Sequence, residues 1–352
     1  APFSVCNLAA VNLAEMTKDN KVDYDKLINT VKIGIRMQDN VISATPYFLE
    51  ENKIQALGER RIGLGVMGLH DMLIKCELTY GEEDANKVVD KVFETIAIAS
   101  YEASIELAIE KGSFPFLTGD NFLEKRGKFI DSGFMKKMPE YIRDMILIYG
   151  IRNSHLLTVA PTGSTGTMVN VSTGLEPYFS FSYFRSGRLG KFIEVKAPIA
   201  QEWLKANPNE TQLPPWFKSS MQLSPEAHAD VQCIIQRWID SSISKTVNAP
   251  KGYTVEQVEK VYERLHKGGA KGGTVYVDGS RDSQVLSLTA EENSIEDVDV
   301  KLADVKEEVN VIKGVYGNDV GDTCPICRIG TVEDIGGCNT CTNCNAQLKC
   351  GL

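Results

Sequence analysis

The C-terminal end of the chain concentrates the residue types suited to metal or redox chemistry. Six of the nine cysteines (Cys324, Cys327, Cys338, Cys341, Cys344 and Cys350) fall in the last 29 residues. Cys324-Pro-Ile-Cys327 and Cys341-Thr-Asn-Cys344 are two Cys-x2-Cys pairs thirteen residues apart. Each pair can turn two thiolates inward on one knuckle. Two knuckles complete a tetrahedral four-sulfur site, which suits Zn2+. A redox-active dithiol is the competing reading of any such pair, and Cys338 with Cys341 is an alternative second pair. With Cys324, Cys327, Cys341 and Cys344 on the metal, Cys338 and Cys350 remain as a spare thiol pair. On a tether, such a dithiol can travel to another disulfide and exchange with it, because exchange needs an exposed thiolate and access.

A second stretch with chemical potential is APTGSTGTMVNVSTGLEP, Ala160 to Pro177, rich in glycine and hydroxyls. It follows the apolar residues Leu156, Leu157 and Val159. A turn is the ordinary reading of such a loop. Backbone N–H groups at the start of a following helix would also receive an anion, with glycine permitting close approach.

The bulk properties bound these readings. At 352 residues, 43% hydrophobic and 24% charged, the chain has a soluble globular composition and room for one large domain or two ordinary ones. A net charge of −9 argues against a duplex-binding surface and predicts no direct nucleic-acid partner. No apolar run reaches bilayer-spanning length, so no membrane partner is expected. No charged segment leads into an apolar run at the start, so a cytoplasmic location is expected. Crowded cysteines in such a chain read as metal or redox chemistry, not as a disulfide framework.

The elements that must position these groups read as α/β. Helices are predicted from Asp23 to about Thr45, Leu69 to Lys75, Asp84 to Lys111 with Gly112 as its stop, Glu226 to Thr246, and Thr254 to Lys267. Arg61 to Gly68 is a glycine-punctuated apolar segment, and Thr274 to Val277 a short buried strand. Residues 1 to 285 form the predicted body, and the opening Ala1 to Cys6 reads as strand-like. Residues 291–308 carry eight acidic side chains and two lysines. The stretch 286–322 is therefore the expected flexible acidic linker, and 323–352 the cysteine-rich tail.

Four ordered motifs carry a resemblance. Ser4-Val5-Cys6-Asn7-Leu8 through Asn12-Leu13, Arg60-Arg61-Ile62-Gly63-Leu64-Gly65-Val66-Met67-Gly68, and Arg152-Asn153-Ser154-His155 leading through Ala160-Pro161-Thr162-Gly163-Ser164-Thr165 to Leu175-Glu176-Pro177 stand in sequence, followed by Thr274-Val275-Tyr276-Val277-Asp278-Gly279-Ser280-Arg281. Together they resemble ribonucleotide reductase catalytic chains. The tail is similar to that of the adenosylcobalamin-dependent (class II) branch. Members that rely on a separate metal-containing subunit carry two adjacent tyrosines where Val275-Tyr276 stands here, and the single tyrosine points to the cobalamin branch.

The resemblance implies the C-terminal half of a ten-stranded α/β barrel with a zinc-ribbon-like tail. It implies reduction of ribonucleotides, expected as diphosphates, by thiyl-radical chemistry. Cys6 would be one of two redox cysteines. Pro161, Thr162, Gly163, Ser164 and Thr165 would cradle the substrate phosphates, and Cys338 and Cys350 would form the tail dithiol. Adenosylcobalamin and Zn2+ are the implied cofactors. The implied partners are an N-terminal half, thioredoxin or a similar dithiol reductant, and, as a further option, a second copy of the chain. The family's radical cysteine sits in an Asn-x-Cys-x-Glu loop, and no such sequence occurs in these 352 residues. The chain is therefore expected to be inactive alone, as a split product or a fragment. Competing readings are a metal-subunit-dependent reductase fragment and a non-catalytic nucleotide-binding module with a zinc ribbon.

Overall fold

A computed structural model describes residues 2–187, 190–280, 286–287, 317–327, 329–335 and 338–350. The glycine-punctuated segment is the strand Ile62–Met67. Ile62, Leu64 and Val66 enter the main hydrophobic core, and Gly63 and Gly65 alternate with them on the other face. Glycine is required there by close approach. A Cβ on Gly63 would lie 2.7 Å from the Thr158 side chain and 2.8 Å from that of Leu8, and one on Gly65 would overlap the Thr158 carbonyl oxygen.

The neighbouring segments build a parallel sheet. Asn7–Asn12 pairs with Ile62–Met67 from Asn7↔Ile62 to Asn12↔Met67. On the other side Leu64 bridges Leu157 and Val159 bridges Ile243, both in parallel. From Ile243 the chain runs into the strand Thr246–Ala249, which pairs in parallel with Thr274–Val277. The spatial order is thus 7–12, 62–67, 157–159, 243–249, 274–277, and the sheet does not close on itself among the described residues. Parallel neighbours need long crossovers, and helices supply the first of them. Leu27, Val31 and Ile35 of the helix Tyr24–Ala44 and Val89, Val92, Phe93 and Ile96 of the helix Glu83–Lys111 share one core with Leu64. The opposite face is uncovered where Leu8 lies, at 57% exposure.

Local chemistry sets the helix ends. Asp23 accepts the Lys26 N–H at 2.9 Å and starts the first helix. Gly112, at φ 84°, ends Glu83–Lys111, and Thr254 with Gln257 forms a capping box ahead of Val255–Lys267. Three expectations need correction. The helix expected over 226–246 spans only Pro225–Gln236. Ser241, Ser242 and Ser244 favour local bonds over helix, and the Asp240 carboxylate accepts the N–H groups of Leu156 and Leu157 at 2.8 and 3.1 Å. That clamp draws the following residues alongside 157–159, where Ile243 bridges Val159. Thr274–Val277 is half-buried with Thr274 exposed, not buried, because it stands at the sheet's edge among the described residues. The opening residues turn at Phe3, φ 58°, and the strand begins only at Asn7.

A buried ion-pair network ties the layers together. Asp39 and Arg60 are 1% and 4% exposed, and the Arg60 Nε donates to Asp39 Oδ1 at 2.8 Å. Asn153 donates to the same oxygen at 3.1 Å and to the Arg60 carbonyl at 3.0 Å, while Arg152 Nε lies 3.3 Å from Asp39 Oδ2. Burial pushes the Asp39 carboxyl up, but Arg60, Arg152 and Asn153 together outweigh it and hold it below its usual value.

The second compact unit is described from residue 317. It is an antiparallel three-stranded sheet, Val332–Ile335, Cys338–Cys341 and Gln347–Cys350. Most of the expected linker, 286–322, lies outside the described residues. Among the described residues no helix is long and apolar enough to cross a membrane.

Candidate functional site

The loop after residues 157–159 leads into a short helix, Gly163–Met168. Thr162 is its N-cap in the left-handed region, φ 50°. Its hydroxyl does not cap the helix. It accepts the Gly174 N–H at 2.7 Å instead. The N–H groups of Gly163, Ser164 and Thr165 fall in the first turn, where no carbonyl four residues back lies within the helix. Pro161, Gly163, Ser164 and Thr165 are exposed, and Thr162 is half-buried. Uncapped first-turn amides with flanking hydroxyls are an arrangement that suits an anion. A Cβ on Gly163 would meet nothing in this chain. The close-packed glycines are Gly166, whose Cβ would lie 3.3 Å from Thr173, and Gly174, at φ 53°, whose Cβ would lie 3.3 Å from the Ala160 and Pro161 carbonyl oxygens.

Cys6 immediately precedes the first strand and is an exposed free thiol. The parallel register places it one step before Asn7↔Ile62, beside Arg61. Glu59, 6% exposed, accepts the Ser4 hydroxyl, and its Oε1 lies 3.5 Å from Arg61 Nε. Desolvation pushes the Cys6 thiol up from its usual value, Arg61 pulls it back, and Glu59 and Asp240 add to the rise. Cys6 is therefore held as a protonated thiol at neutral pH. It stands where the parallel strands begin, and the loop at Thr162 stands where they end. The six-residue strand between those ends spans about 20 Å at roughly 3.3 Å per residue. The structure brings thiol and loop to one sheet, not to one point. His155 is half-buried with Nδ1 3.1 Å from Ser154 Oγ, a packing role.

In the tail, the Sγ atoms of Cys324, Cys327, Cys341 and Cys344 all lie within 4.8 Å of one another. Cys324 and Cys344 are 3.8 Å apart, and Cys327 and Cys341 3.6 Å. A tetrahedral site with Zn–S bonds of about 2.3 Å has sulfur–sulfur edges of about 3.8 Å, so this donor set fits the metal. The backbone favours thiolates. Gly330 N–H donates to Cys327 Sγ at 3.4 Å, and Asn343 and Cys344 donate to Cys341 Sγ at 3.3 and 3.4 Å. The Gly330 and Ile329 amides push Cys327 down to about 6. Cys338 is not among the four. It is disulfide-bonded, and Cys350, described in its backbone, is its partner in the ladder register.

The model of the ribonucleotide reductase barrel domain matches residues 1–276. The chain belongs to the ribonucleotide reductase family. It is 31% identical over 309 residues to a vitamin B12-dependent ribonucleoside-diphosphate reductase of Mycobacterium tuberculosis, covering 82% of this chain and 40% of that protein. A protein of the same name from Thermoplasma acidophilum is 32% identical over 321 residues, 85% of this chain and 39% of its own length. A ribonucleoside-diphosphate reductase subunit alpha of Chlamydia pneumoniae is 28% identical over 278 residues, 68% of this chain and 26% of that one. The chain thus spans about 40% of the length of the B12-dependent relatives it matches.

Two reductase motifs serve the fold in this structure. Arg60 of the RRIGLGVMG segment and Arg152-Asn153 of the RNSH segment are partners of the buried Asp39. Sequence reasoning missed Lys245, which is 3% exposed and lies 2.6 Å from Glu176. It also missed His70 and Asp71, which hold the segment after the loop: His70 Nδ1 accepts the Tyr178 N–H at 3.0 Å, and Asp71 accepts the Ser172 N–H and the Tyr178 hydroxyl, each at 2.7 Å. The one signal was a lysine amid the small residues Ser241 to Asn248.

The buried histidines of this reductase body predict acid sensitivity. Burial, with a contribution from His228, drives His70 down to about 3, and burial, with Lys245, does the same to His228. Both are neutral bases whose folded value lies below the usual 6.5. From pH 6.5 downward the unfolded chain binds the extra protons, so stability present above 6.5 falls with pH. The slope expected is about 1.4 kcal/mol per pH unit for each histidine. Urea unfolding at pH 7.5 and pH 5.5 measures it, and equal midpoints would refute it.

Proposed function

We propose that the chain is the C-terminal portion of a vitamin B12-dependent ribonucleoside-diphosphate reductase. The observation that carries this is likeness to two proteins of that name over more than four-fifths of the chain. The body is one half of the family's ten-stranded barrel, and its uncovered sheet face is where the other half would lie. Gly163, Ser164 and Thr165 hold the substrate phosphates through first-turn amides and hydroxyls, with Pro161 and Thr162 shaping the approach to that turn.

Reduction at C2′ removes the hydroxyl as water and takes two electrons, which two thiols supply as they close to a disulfide. Cys6 is one of these thiols, and its protonated state at neutral pH equips it to give a proton to the leaving hydroxyl. The tail dithiol Cys338 and Cys350 then reduces the disulfide by exchange and closes to its own. An external dithiol such as thioredoxin reopens it. Cys324, Cys327, Cys341 and Cys344 would hold Zn2+, which would keep the tail in shape. Adenosylcobalamin, when bound, would supply the radical that starts the reaction. The radical cysteine comes from the remainder of the reductase.

The test mixes this chain with the matching N-terminal portion, adenosylcobalamin, a dithiol and ribonucleoside diphosphates, and assays deoxyribonucleotide. Product from the mixture alone is expected, and Cys6→Ser should abolish it while leaving nucleotide binding intact. No product from a folded, associated mixture would overturn the reading.

A further inference from the structure

Behind the phosphate loop lies a lysine whose side chain is shut off from solvent. Lys245 Nζ donates to Glu176 Oε2 at 2.6 Å and to the Thr246 carbonyl at 2.5 Å, and lies 3.0 Å from His228 Nδ1. Its three N–H groups therefore each have a partner. The tautomer of His228 follows from this arrangement. Its Nε2 is 3.0 Å from the Ser220 carbonyl, which can only accept, so Nε2 carries the proton and Nδ1 accepts from the ammonium. The other Glu176 oxygen accepts the Thr246 N–H at 2.6 Å. One carboxylate is gripped by the side chain of Lys245 and the amide of the next residue, 69 and 70 positions away.

This grip is in series with the loop. The Glu176 N–H donates to the Thr173 carbonyl at 2.9 Å, closing a turn around Gly174. Gly174 packs against the Ala160 and Pro161 carbonyls and donates its N–H to Thr162 Oγ1 at 2.7 Å. Thr162 is the residue on which the first turn of Gly163–Met168 begins, and it is held in the left-handed region. The Gly174 N–H on Thr162 Oγ1 ties the start of this turn to the segment that Glu176 anchors. A cavity of about 380 Å3, lined by Thr167, Ser172, Glu176, Ser220 and Thr246, flanks the turn. The loop therefore has room to move if released.

We propose that Lys245 is a positioning residue of the loop Pro161–Thr165, acting through Glu176, Gly174 and the Thr162 hydroxyl beside the grip of Asp71 on Ser172. The proposal rests on the reading that this loop holds substrate phosphate. Lys245 touches neither the loop nor any group that would react. Its contribution is to fix where the uncapped amides stand before a nucleotide arrives, so that their ordering is not charged against binding.

The test uses the 352-residue chain with Lys245→Met and Glu176→Gln. Amide hydrogen exchange is followed in residues 163–174 and in the helix Glu83–Lys111, and ADP binding is measured by calorimetry. Lys245→Met is expected to speed exchange in 163–174 at least tenfold, leave Glu83–Lys111 unchanged, and weaken ADP binding about tenfold. Glu176→Gln, which keeps an acceptor for the Thr246 amide, should do both to a smaller degree. It carries the test if Lys245→Met fails to fold. Loop exchange unaltered in a folded variant overturns the proposal, as does unaltered ADP affinity where the wild-type chain binds ADP. Faster loop exchange in the variant with no ADP binding by the wild-type chain supports the positioning role and sinks the phosphate reading instead.

Discussion

Chelation of the tail metal is expected to unfold the tail and leave the reductase body intact. Among the described tail residues the buried apolar side chains are Cys324, Val332 and Cys341 alone. Two of those three are metal ligands in the proposed site, so the metal is most of the core. Domains below roughly 40 residues need such a staple. Structural Zn2+ in small modules binds with an apparent free energy of about 10–16 kcal/mol, most of it expressed as folding. Packing makes the knuckle intolerant as well: a Cβ on Gly330 would lie 2.5 Å from Cys341 Sγ. The purified chain should carry one zinc per molecule, and Cys324→Ser should lower that to near zero. Amide protection in 332–350 should vanish with it, while protection in the helix Glu83–Lys111, which belongs to a separate core, stays. Full tail protection in a metal-free chain would refute the zinc reading without touching the body.

Asp39→Ala should destabilise the body by about 3–5 kcal/mol. The substitution leaves the guanidinium of Arg60 buried at 4% exposure without its counter-ion. It also removes an acceptor from Asn153 and from Arg152. Asn153 in turn accepts the Ser104 hydroxyl at 2.9 Å, so the loss reaches the helix Glu83–Lys111. A paired Arg60→Met, Asp39→Leu variant should recover much of that loss, since an uncharged pair of similar volume leaves no orphan charge. Denaturant midpoints of the three proteins decide it. A single variant as stable as wild type would show that water reaches Arg60.

Part of this molecule was legible before any coordinates. Helix ends at Asp23, Gly112 and Thr254 are local devices, encoded within four residues of where they act. The reductase motifs were legible for a similar reason: each is a short run whose residue types are read directly. The helix expected over 226–246 was misread because its apolar spacing continues past Gln236, and what ends it is the bond from Asp240 to residues 83 and 84 positions away. No local period contains that information.

The sequence by itself determined the chemistry on offer: thiols in knuckle spacing, a glycine- and hydroxyl-rich loop after an apolar run, and a family signature over most of the chain. Only the tertiary structure decided which groups meet. It gathers Cys324, Cys327, Cys341 and Cys344 and leaves Cys338 to a disulfide. It joins Arg60 and Arg152 to Asp39, and it sets Lys245 beneath Glu176. The physical reason is range. Spacing within a turn is fixed by backbone geometry, whereas a buried charge finds its partner only after the sheet has brought distant segments side by side.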